Sequence, residues 1–439
     1  MKLLEFARNK IFWIIDFLKG EKVKSALEIL CNCEDGIWSE EQIEEYQEAC
    51  IKKLLTHAKD TVPYYYEQKD TILKNWPVVN KNVLRINKDS VLSKKYKKEK
   101  LISMATSGST GTPFTCWQDA NKKKHVNAET LYFNGQVGFS IGKRIIYLRS
   151  VVTEVQKSRF QQFAQNIYLL DCNDLSDKGI KEKLKFIVKY SNRGGAMLMG
   201  YASTFTAFQK YFEKYGYDDV KNANIYGVVS GSEMLYDATR LSIEKAFNCK
   251  CVSRYANEEN GFLGQDRNEN NVFFMNRANY FVEILKFDSN KPADDEEIGR
   301  IVVTDLYNYA MPMIRYDTGD VGAKIKVIYD GKERYAIGSF GGRIVDSVKD
   351  SKGNTISPHA ITNLMWKFVQ IKQFQFVQKS KGKYLIILNA KKEDINETEL
   401  ILEYKKILGE DSVFNISYCD DIPILASGKR RYIVNEDID

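Results

Sequence analysis

The sequence is poor in histidine, with only His57, His125 and His359 among 439 residues. None of the three stands beside a serine or cysteine in a nucleophile motif, so nothing supports histidine-based nucleophilic catalysis. Internal repeats and low-complexity tracts are absent as well. The eight cysteines lack the spacing of a disulfide framework. We therefore expect reduced thiols in a cytoplasmic protein without a signal peptide.

Two close cysteine pairs, Cys31 with Cys33 and Cys249 with Cys251, are the only candidates for a metal site. Each pair is separated by one residue, whereas a strong zinc motif has two-residue spacing and a second pair. Structural thiols are the favoured interpretation, and a zinc site is the alternative.

A hydrophobic run long enough to span a bilayer is also missing. Residues 11–18 are strongly apolar but too short to cross a membrane. Basic residues surround this segment: Lys2, Arg8, Lys10, Lys19, Lys22 and Lys24. A helix here suits peripheral contact with a membrane surface or a partner. Packing against the protein's own body is the favoured alternative.

A large excess of charge of either sign is lacking too, since 65 basic and 58 acidic residues give a net charge of +7. No nucleic-acid-binding module accompanies this excess, so we expect no nucleic acid partner. Five lysines lie in residues 94–100. A solvated connector is the favoured interpretation there, and attraction of anionic ligands is the alternative. The hydrophobic fraction of 44% predicts a globular protein.

The most informative segment is residues 106–113, Thr-Ser-Gly-Ser-Thr-Gly-Thr-Pro. Its glycines permit unusual backbone conformations, and its hydroxyl groups and backbone N–H groups can surround an anion. An apolar run over residues 101–105 predicts a strand before it, and residues 117–134 predict a helix after it. Such a loop is typical of phosphate binding. No lysine follows Gly111, which excludes a Walker loop; an ordinary surface loop is the alternative.

Five further segments follow this loop in order. They are residues 230–235 (Ser-Gly-Ser-Glu-Met-Leu), 255–259 (Tyr-Ala-Asn-Glu-Glu), 315–320 (Arg-Tyr-Asp-Thr-Gly-Asp), 342–346 (Gly-Arg-Ile-Val-Asp) and 423–429 (Pro-Ile-Leu-Ala-Ser-Gly-Lys). Together with the loop they resemble the signatures of the adenylate-forming superfamily of acyl- and aryl-CoA synthetases. The resemblance is closest to phenylacetate–CoA ligases and their CapK-like relatives, which are associated with capsular polysaccharide synthesis. Ala256 and Glu258 depart from the pattern, which has a glycine and a hydroxyl residue there.

The resemblance implies an α/β fold with two domains. A large N-terminal domain, residues 1–341, would bind ATP and the acyl substrate through mixed α/β sheets and a small β subdomain. Residues 342–439 would form a small mobile α+β lid, with Gly341 and Gly342 at its hinge. The residue pattern agrees, because short β-rich runs alternate with amphipathic stretches from residue 101 onward. Apolar residues at helical spacing predict helices within residues 1–60 and over residues 358–369 and 397–408. Asp330-Gly331 predicts a hairpin turn within residues 324–337.

The implied reaction joins a small carboxylic acid to the α-phosphate of ATP, releases pyrophosphate and passes the acyl group to an acceptor. Two anions must meet, so the site needs positive charge more than acid–base groups. The implied cofactors are ATP and Mg²⁺, with CoA as a candidate acceptor. A CapK-like enzyme that uses an amino sugar or carrier is the alternative. A further alternative is a degenerate nucleotide-binding scaffold, because Ala256 and Glu258 depart from the family pattern.

The resemblance also assigns roles to residues. Lys429 would be catalytic, although it also begins a Lys-Arg-Arg run, and Glu259 would be catalytic and hold Mg²⁺. The phosphates would be held by Thr106, Ser107, Gly108, Ser109, Thr110, Gly111 and Thr112. The rest of the nucleotide would contact Ser232, Glu233, Tyr255, Ala256, Asn257, Asp320 and Arg343, with Asp320 on the ribose. Candidates for the acyl pocket are Trp117, Tyr201, Tyr226, Ser230 and Gly231.

Overall fold

The computed structural model describes most of the chain in two units. The described residues are 2–106, 114–149, 158–172, 175–267, 271–343, 348–353, 355–356, 361, 364–365, 368, 370–371, 373–420, 422 and 433–436. The first unit comprises Met1–Val282 and Val303–Tyr316, and the second comprises Glu283–Val302 and Asp317–Asp439.

The first unit begins with helices, as the sequence predicts. They are α1 (Lys2–Leu18), α2 (Lys22–Glu34), α3 (Glu40–Thr61) and α4 (Lys81–Ile86). Helix α3 begins at a capping box, in which Ser39 and Gln42 each accept a hydrogen bond from the other's backbone N–H. Leu54, Leu55 and Ala58 anchor α3 in the core. Short 3₁₀ turns occur at Pro63–Tyr65, Leu73–Asn75, Lys98–Lys100, Asp218–Val220 and Lys392–Asp394.

An antiparallel hairpin follows, formed by β1 (Ile102–Thr106) and β2 (Phe114–Gln118). The strand predicted at residues 101–105 is confirmed. The helix predicted from residue 117 is wrong at its start, because α5 runs over Ala120–Gly135. Phenylalanine, threonine and tryptophan favour a strand in residues 114–118. Asp119 then caps the helix by accepting a hydrogen bond from the Lys122 backbone N–H.

The large sheet of the first unit contains parallel strands and a shorter antiparallel portion. Strands β3 (Ile145–Arg149), β4 (Ile167–Asp171), β5 (Ala196–Tyr201), β6 (Ile225–Gly231) and β7 (Cys251–Asn257) are parallel, and β8 (Gly261–Asp266) and β9 (Phe273–Met275) are antiparallel. Their spatial order is β4-β3-β5-β6-β7-β8-β9. The connecting helices are α6 (Arg159–Gln165), α7 (Asp177–Ser191), α8 (Ala202–Tyr215) and α9 (Asp237–Phe247). Leu184, Phe205 and Ile243 from three of these helices share one hydrophobic core, which confirms the α/β class.

The second unit contains long antiparallel strands. Strands β10 (Tyr280–Leu285) and β11 (Ile298–Asp305) each contain residues that belong to the first unit and residues that belong to the second. Strands β12 (Tyr316–Tyr329) and β13 (Lys332–Arg343) form a hairpin. Its turn has positive φ at Asp330 (51°) and Gly331 (73°), as a two-residue hairpin with this twist requires. The predicted hairpin is confirmed.

The C-terminal part of the second unit has its own small core. Its elements are β14 (Val348–Lys349), β15 (Thr355–Ile356), β16 (Gln373–Ser380), β17 (Lys383–Asn389), α10 (Glu397–Leu408), β18 (Val413–Tyr418) and β19 (Ile433–Asn435). Four of these strands form a sheet in the order β18-β17-β16-β19, and Ile386, Leu400 and Tyr404 pack in its core. The predicted helix over residues 358–369 lies largely outside the described residues. No helix in the described part of the chain is long and apolar enough to cross a membrane.

Candidate active site

The carboxyl ends of three parallel strands bring several predicted residues to one edge of the large sheet. Tyr201, the last residue of β5, pairs with Gly231, the last residue of β6. Gly231 pairs in turn with Arg254 of β7, directly before the 255–259 segment. Ligands of α/β proteins bind at this edge of the sheet. Tyr201, Ser230 and Gly231 are therefore brought together with that segment.

Tyr226 lies elsewhere, at the amino end of β6. Its hydroxyl donates to the backbone carbonyl of Arg144 at 2.8 Å, and the Lys143 ammonium lies 4.9 Å from the centre of its ring. Ser230 lies four positions further along the strand, or about 13 Å away. The structure does not bring Tyr226 together with the other pocket candidates.

Glu259 lies buried in the turn between β7 and β8. The Asn257 side-chain oxygen accepts a hydrogen bond from the Asn260 backbone N–H at 2.8 Å and closes this turn. One carboxylate oxygen of Glu259 lies 2.7 Å from the Lys81 ammonium. The same oxygen accepts a hydrogen bond of 3.3 Å from the Tyr316 hydroxyl. A buried carboxylate is thus held beside a cation in a fixed turn.

The β1–β2 hairpin is packed against the Glu259 turn. The Gln118 side-chain amide donates to the Glu259 backbone carbonyl at 3.4 Å, and the Cys116 thiol lies 3.9 Å from the same oxygen. Burial raises the pKa of Cys116 to about 12, so this thiol stays protonated. Residues 107–113, which connect the two strands, lie outside the described residues. Strand β2, which follows the predicted phosphate loop, therefore contacts the turn that carries Glu259.

Trp117 lies on β2 of this hairpin and is half-buried. Its backbone carbonyl accepts a hydrogen bond from the Asn308 amide at 3.0 Å, and the Lys98 ammonium lies 5.1 Å from its ring centre. Thr106 ends β1, and only its backbone is described.

A buried network of polar side chains contacts the turn that carries Glu259. The Lys122 ammonium lies 2.7 Å from the Asp305 carboxylate and donates to the Tyr280 hydroxyl at 2.8 Å. That hydroxyl lies 2.7 Å from the Asn260 carbonyl and 2.8 Å from a Glu129 carboxyl oxygen. Burial raises the pKa of Glu129, against the opposing effect of Lys122. The network therefore ties Asn260, the residue after Glu259, to α5 and β10.

Gly261 shows how closely this network approaches the turn. Its φ is +126°, and a Cβ atom there would lie 2.6 Å from a Glu129 carboxyl oxygen and 2.8 Å from the Tyr280 hydroxyl. Glycine alone suits both the backbone angle and the space. The path of the chain after Glu259 is therefore fixed by backbone geometry as well as by hydrogen bonds.

The signature segment at residues 230–235, which is predicted to contact the nucleotide, continues from β6. Ser232 is exposed and has a φ of 68°. Glu233 accepts a hydrogen bond of 2.7 Å from the Ser203 backbone N–H, which places its carboxylate at the favourable N-terminus of α8. Tyr255 is buried, with its ring centre 6.1 Å from that of Phe273, whereas Ala256 is exposed.

Asp320 lies near the start of β12, in the second unit. Its backbone N–H donates to the Thr318 hydroxyl at 3.1 Å, and the Gly319 N–H donates to the Asp317 carboxylate at 3.0 Å. Asp320 pairs with Arg343 across the β12–β13 ladder. These two predicted nucleotide contacts are therefore neighbours, although the Arg343 side chain is not described. Ser107, Gly108, Ser109, Thr110, Gly111, Thr112 and Lys429 lie outside the described residues.

Three residues that contact the Glu259 turn were missed by the sequence interpretation: Lys81, Gln118 and Tyr316. Tyr316 lies inside the recognised 315–320 segment, so a signal for it was present. Lys81 follows the helix cap Asn80, and no local pattern indicates that it pairs with the distant carboxylate of Glu259. In the described part of the chain, no three His, Cys, Asp or Glu side chains cluster to hold a metal. A single carboxylate suits Mg²⁺ only when phosphate oxygens supply further ligands.

Comparisons with known proteins identify the fold. The chain resembles a 2-hydroxyisobutyryl-CoA ligase in complex with an acyl-AMP (TM-score 0.68, 13% identity, 89% of each chain covered). An open conformation of that ligase with 2-HIB-AMP and CoA also matches (TM-score 0.60, 12% identity, 88% of this chain and 90% of that chain). ATP-bound MatB from Rhodopseudomonas palustris matches with a TM-score of 0.53, at 13% identity, over 77% of this chain and 68% of that chain. The fold is that of the adenylate-forming ligases.

The sequence comparisons show which proteins the chain is similar to. Residues 348–436 match the CapK C-terminal domain family. The chain is also 26% identical to Protein CapK of Staphylococcus aureus, in an alignment that covers 89% of this chain and 85% of CapK. The predicted relationship to the CapK-like branch of the adenylate-forming proteins is confirmed.

Proposed function

We propose that the protein uses ATP to activate a small carboxylic acid as an acyl-adenylate and then transfers the acyl group to an acceptor. The observation that carries the proposal is the packing of the Glu259 turn against the β1–β2 hairpin. In this contact, the turn that carries a buried carboxylate packs on β2, the strand that follows the glycine- and hydroxyl-rich loop. The turn also lies at the sheet edge where α/β proteins bind ligands.

The charges at this turn suit a reaction between two anions. Glu259 would hold Mg²⁺, which neutralises phosphate charge when bound. The Lys81 ammonium, 2.7 Å from Glu259, offsets the charge of that carboxylate, so the turn would carry a net positive charge with Mg²⁺ bound. Preorganised charges of this kind stabilise the charge that develops as the carboxylate approaches the α-phosphate.

The remaining roles follow the resemblance. Residues 107–112 would donate backbone and hydroxyl hydrogens to the β- and γ-phosphates, while Asp320 would accept hydrogen bonds from the ribose. Lys429 would place its ammonium at the oxygen that bridges the carboxylate and the α-phosphate. Residues 342–439 would act as the lid that brings Lys429 to the site.

Two acceptors have specific support. CoA is bound by the 2-hydroxyisobutyryl-CoA ligase that shares the fold, and that reaction would make a thioester. An amino sugar or carrier is favoured by the closer sequence relationship to CapK, because the CapK-like branch is associated with capsular polysaccharide synthesis. The cytoplasm stays the expected compartment, because the cysteines lack the spacing of a disulfide framework.

Pyrophosphate release from ATP, measured across a panel of carboxylic acids with and without CoA, tests the proposal. We expect at least one acid to stimulate release, with AMP formed in equal amount. Faster turnover with CoA would identify CoA as the acceptor, whereas an unchanged rate would favour the amino sugar or carrier. ATP binding without stimulation by any acid would contradict the enzyme proposal and support a nucleotide-binding scaffold.

A further inference from the structure

Helix α1 turns an apolar face toward solvent. Six of its side chains, here named the α1 stripe, lie along one side of the helix: Leu3, Leu4, Ile11, Ile14, Ile15 and Leu18. Each is between 45% and 79% exposed. Amphipathic helices of water-exposed protein surfaces normally bury this face, and a contiguous exposed apolar patch marks an interaction surface.

Polar contacts hold α1 in this orientation. The Arg8 guanidinium donates to the Phe163 backbone carbonyl at 2.8 Å. The Asp16 carboxylate is buried and accepts hydrogen bonds from the backbone N–H groups of Val23 and Lys24 at 3.1 and 3.0 Å. These contacts engage the side of the helix that faces the protein body. The stripe therefore faces solvent, because these hydrogen bonds fix α1 against other elements of the first unit.

Helix α6 extends the apolar surface beside α1. Phe160 and Phe163 are 78% and 56% exposed, and the Arg8 guanidinium lies 5.2 Å from the centre of the Phe163 ring. Arg8 thus links the two helices. Two exposed phenylalanines on one short helix add aromatic side chains of the type that insert at a bilayer interface.

The charges around the stripe are predominantly positive. Lys10, Lys19 and Lys22 are exposed. Of the acidic side chains described on α1, Asp16 is buried and Glu5 is half-buried. An apolar helix face with exposed lysines at its borders complements a surface that is apolar inside and negatively charged outside.

We propose that α1 and α6 form a docking site for an anionic phospholipid membrane, with α1 lying in the plane of the interface. A second copy of the chain fits the same face less well. A two-fold pairing of stripe against stripe would bring the lysines of both copies together. A membrane satisfies the apolar stripe and the cationic borders at once, and it would place the proposed acyl transfer next to membrane-associated acceptors.

Sedimentation of the full chain with lipid vesicles tests this site. One set of vesicles contains phosphatidylcholine alone, and the other contains equal parts of phosphatidylcholine and phosphatidylglycerol. We expect the protein to bind the anionic vesicles preferentially at low ionic strength, and to bind less as salt screens the lysines. Absence of binding to anionic vesicles, or equal binding to both sets, would overturn the proposal.

Two matched pairs of variants locate the site. The stripe variant Ile11→Gln/Ile14→Gln/Leu18→Gln should lower the partition coefficient by about tenfold or more. Its control, Leu241→Gln/Ile328→Gln/Leu402→Gln, removes three exposed apolar side chains elsewhere and should bind like the wild type. Lys10→Gln/Lys19→Gln/Lys22→Gln should reduce binding to anionic vesicles more than Lys178→Gln/Lys185→Gln/Lys189→Gln, which changes three exposed lysines of α7.

Thermal unfolding shows whether the variants remain folded. If the stripe variant does not fold, the lysine variant and its control still test the proposal. Equal binding by either variant and its control would overturn the location of the site. A wild-type dimer in analytical ultracentrifugation that the stripe variant dissociates would instead assign this face to self-association and contradict membrane docking.

Discussion

Glu259 and Asp320, the two carboxylates proposed to hold the metal ion and the nucleotide, are held in place in different ways. Glu259 is buried, and its turn is held by residues far away in the sequence, among them Lys81, Gln118 and Tyr316. Asp320 is only half-buried. Its backbone N–H donates to the Thr318 hydroxyl, two residues earlier, and it pairs with Arg343 of the next strand. The first position depends on contacts from several distant segments, whereas the second belongs to a local turn and a hairpin of consecutive strands.

This difference has consequences for the effects of mutation. A network of buried charges is stable only when every member has its partner, so changes far from Glu259 should disturb its turn. A turn closed by neighbouring residues forms wherever its short segment is intact. The following predictions test this contrast, from the largest expected effect to the smallest.

Removing the buried cation behind the Glu259 turn should have the largest effect. Lys122→Met leaves Asp305 buried without its ionic partner, and breaking a buried pair costs about 3–5 kcal/mol. Lys123→Met, at the adjacent half-buried position, is the control and should change stability by less than about 1 kcal/mol. The free energy of unfolding from urea denaturation measures both. Equal losses would show that the network does not stabilise this region.

Neutralising Glu259 should abolish most of the proposed activity without unfolding the protein. Glu259→Gln should slow acyl-adenylate formation by about a hundredfold or more, as expected when a charge that acts on the transition state is lost. Glu258→Gln is a close control, because Glu258 occupies the same turn but is exposed. Similar adenylation rates in the two variants would contradict the role assigned to Glu259.

Removing the cation beside Glu259 should have an intermediate effect. Lys81→Met deletes one charge-assisted contact of the carboxylate and should slow adenylation by about tenfold. Single-turnover measurement of acyl-adenylate separates this step from acyl transfer. A variant with the wild-type rate would mean that Lys81 has only a structural role.

Asp320→Asn should have the smallest effect. Asparagine keeps the shape and one acceptor oxygen, so we expect the KM for ATP to rise by about fivefold with little change in stability. The wild type should prefer ATP to 2′-deoxy-ATP, and the variant should lose part of that preference. An unchanged preference would remove Asp320 from the ribose site.

The same contrast explains how much the sequence predicted. The β12–β13 turn at Asp330–Gly331 and helix α10 were predicted because their signals are local: residues with suitable φ angles, and apolar side chains at helical spacing. The helix predicted from Trp117 began too early because the β-favouring residues 114–118 pair with β1, a partner that the local pattern does not reveal. The α/β class itself was predicted from the family resemblance, and the alternation of strands and helices in the sequence agreed with it.

The residues of the candidate site show the same contrast between local signals and contacts that join distant parts of the chain. Glu259 and Asp320 were identified from short ordered segments, and their roles stay predictions. Lys81 and the Lys122–Asp305 pair were missed, because each contact joins distant parts of the chain and no residue pattern marks it. Tyr226 was also assigned to the pocket, but it lies near the amino end of β6, whereas Ser230 lies near the carboxyl end.

Isotope exchange between pyrophosphate and ATP, in the presence of a carboxylic acid and in the absence of any acceptor, tests the central claim most directly. This exchange requires reversible formation of an acyl-adenylate and does not depend on whether CoA, an amino sugar or a carrier follows. We predict exchange that requires the acid and is lost in Glu259→Gln but kept in Glu258→Gln. Binding of ATP with no exchange for any acid in a broad panel would contradict the account.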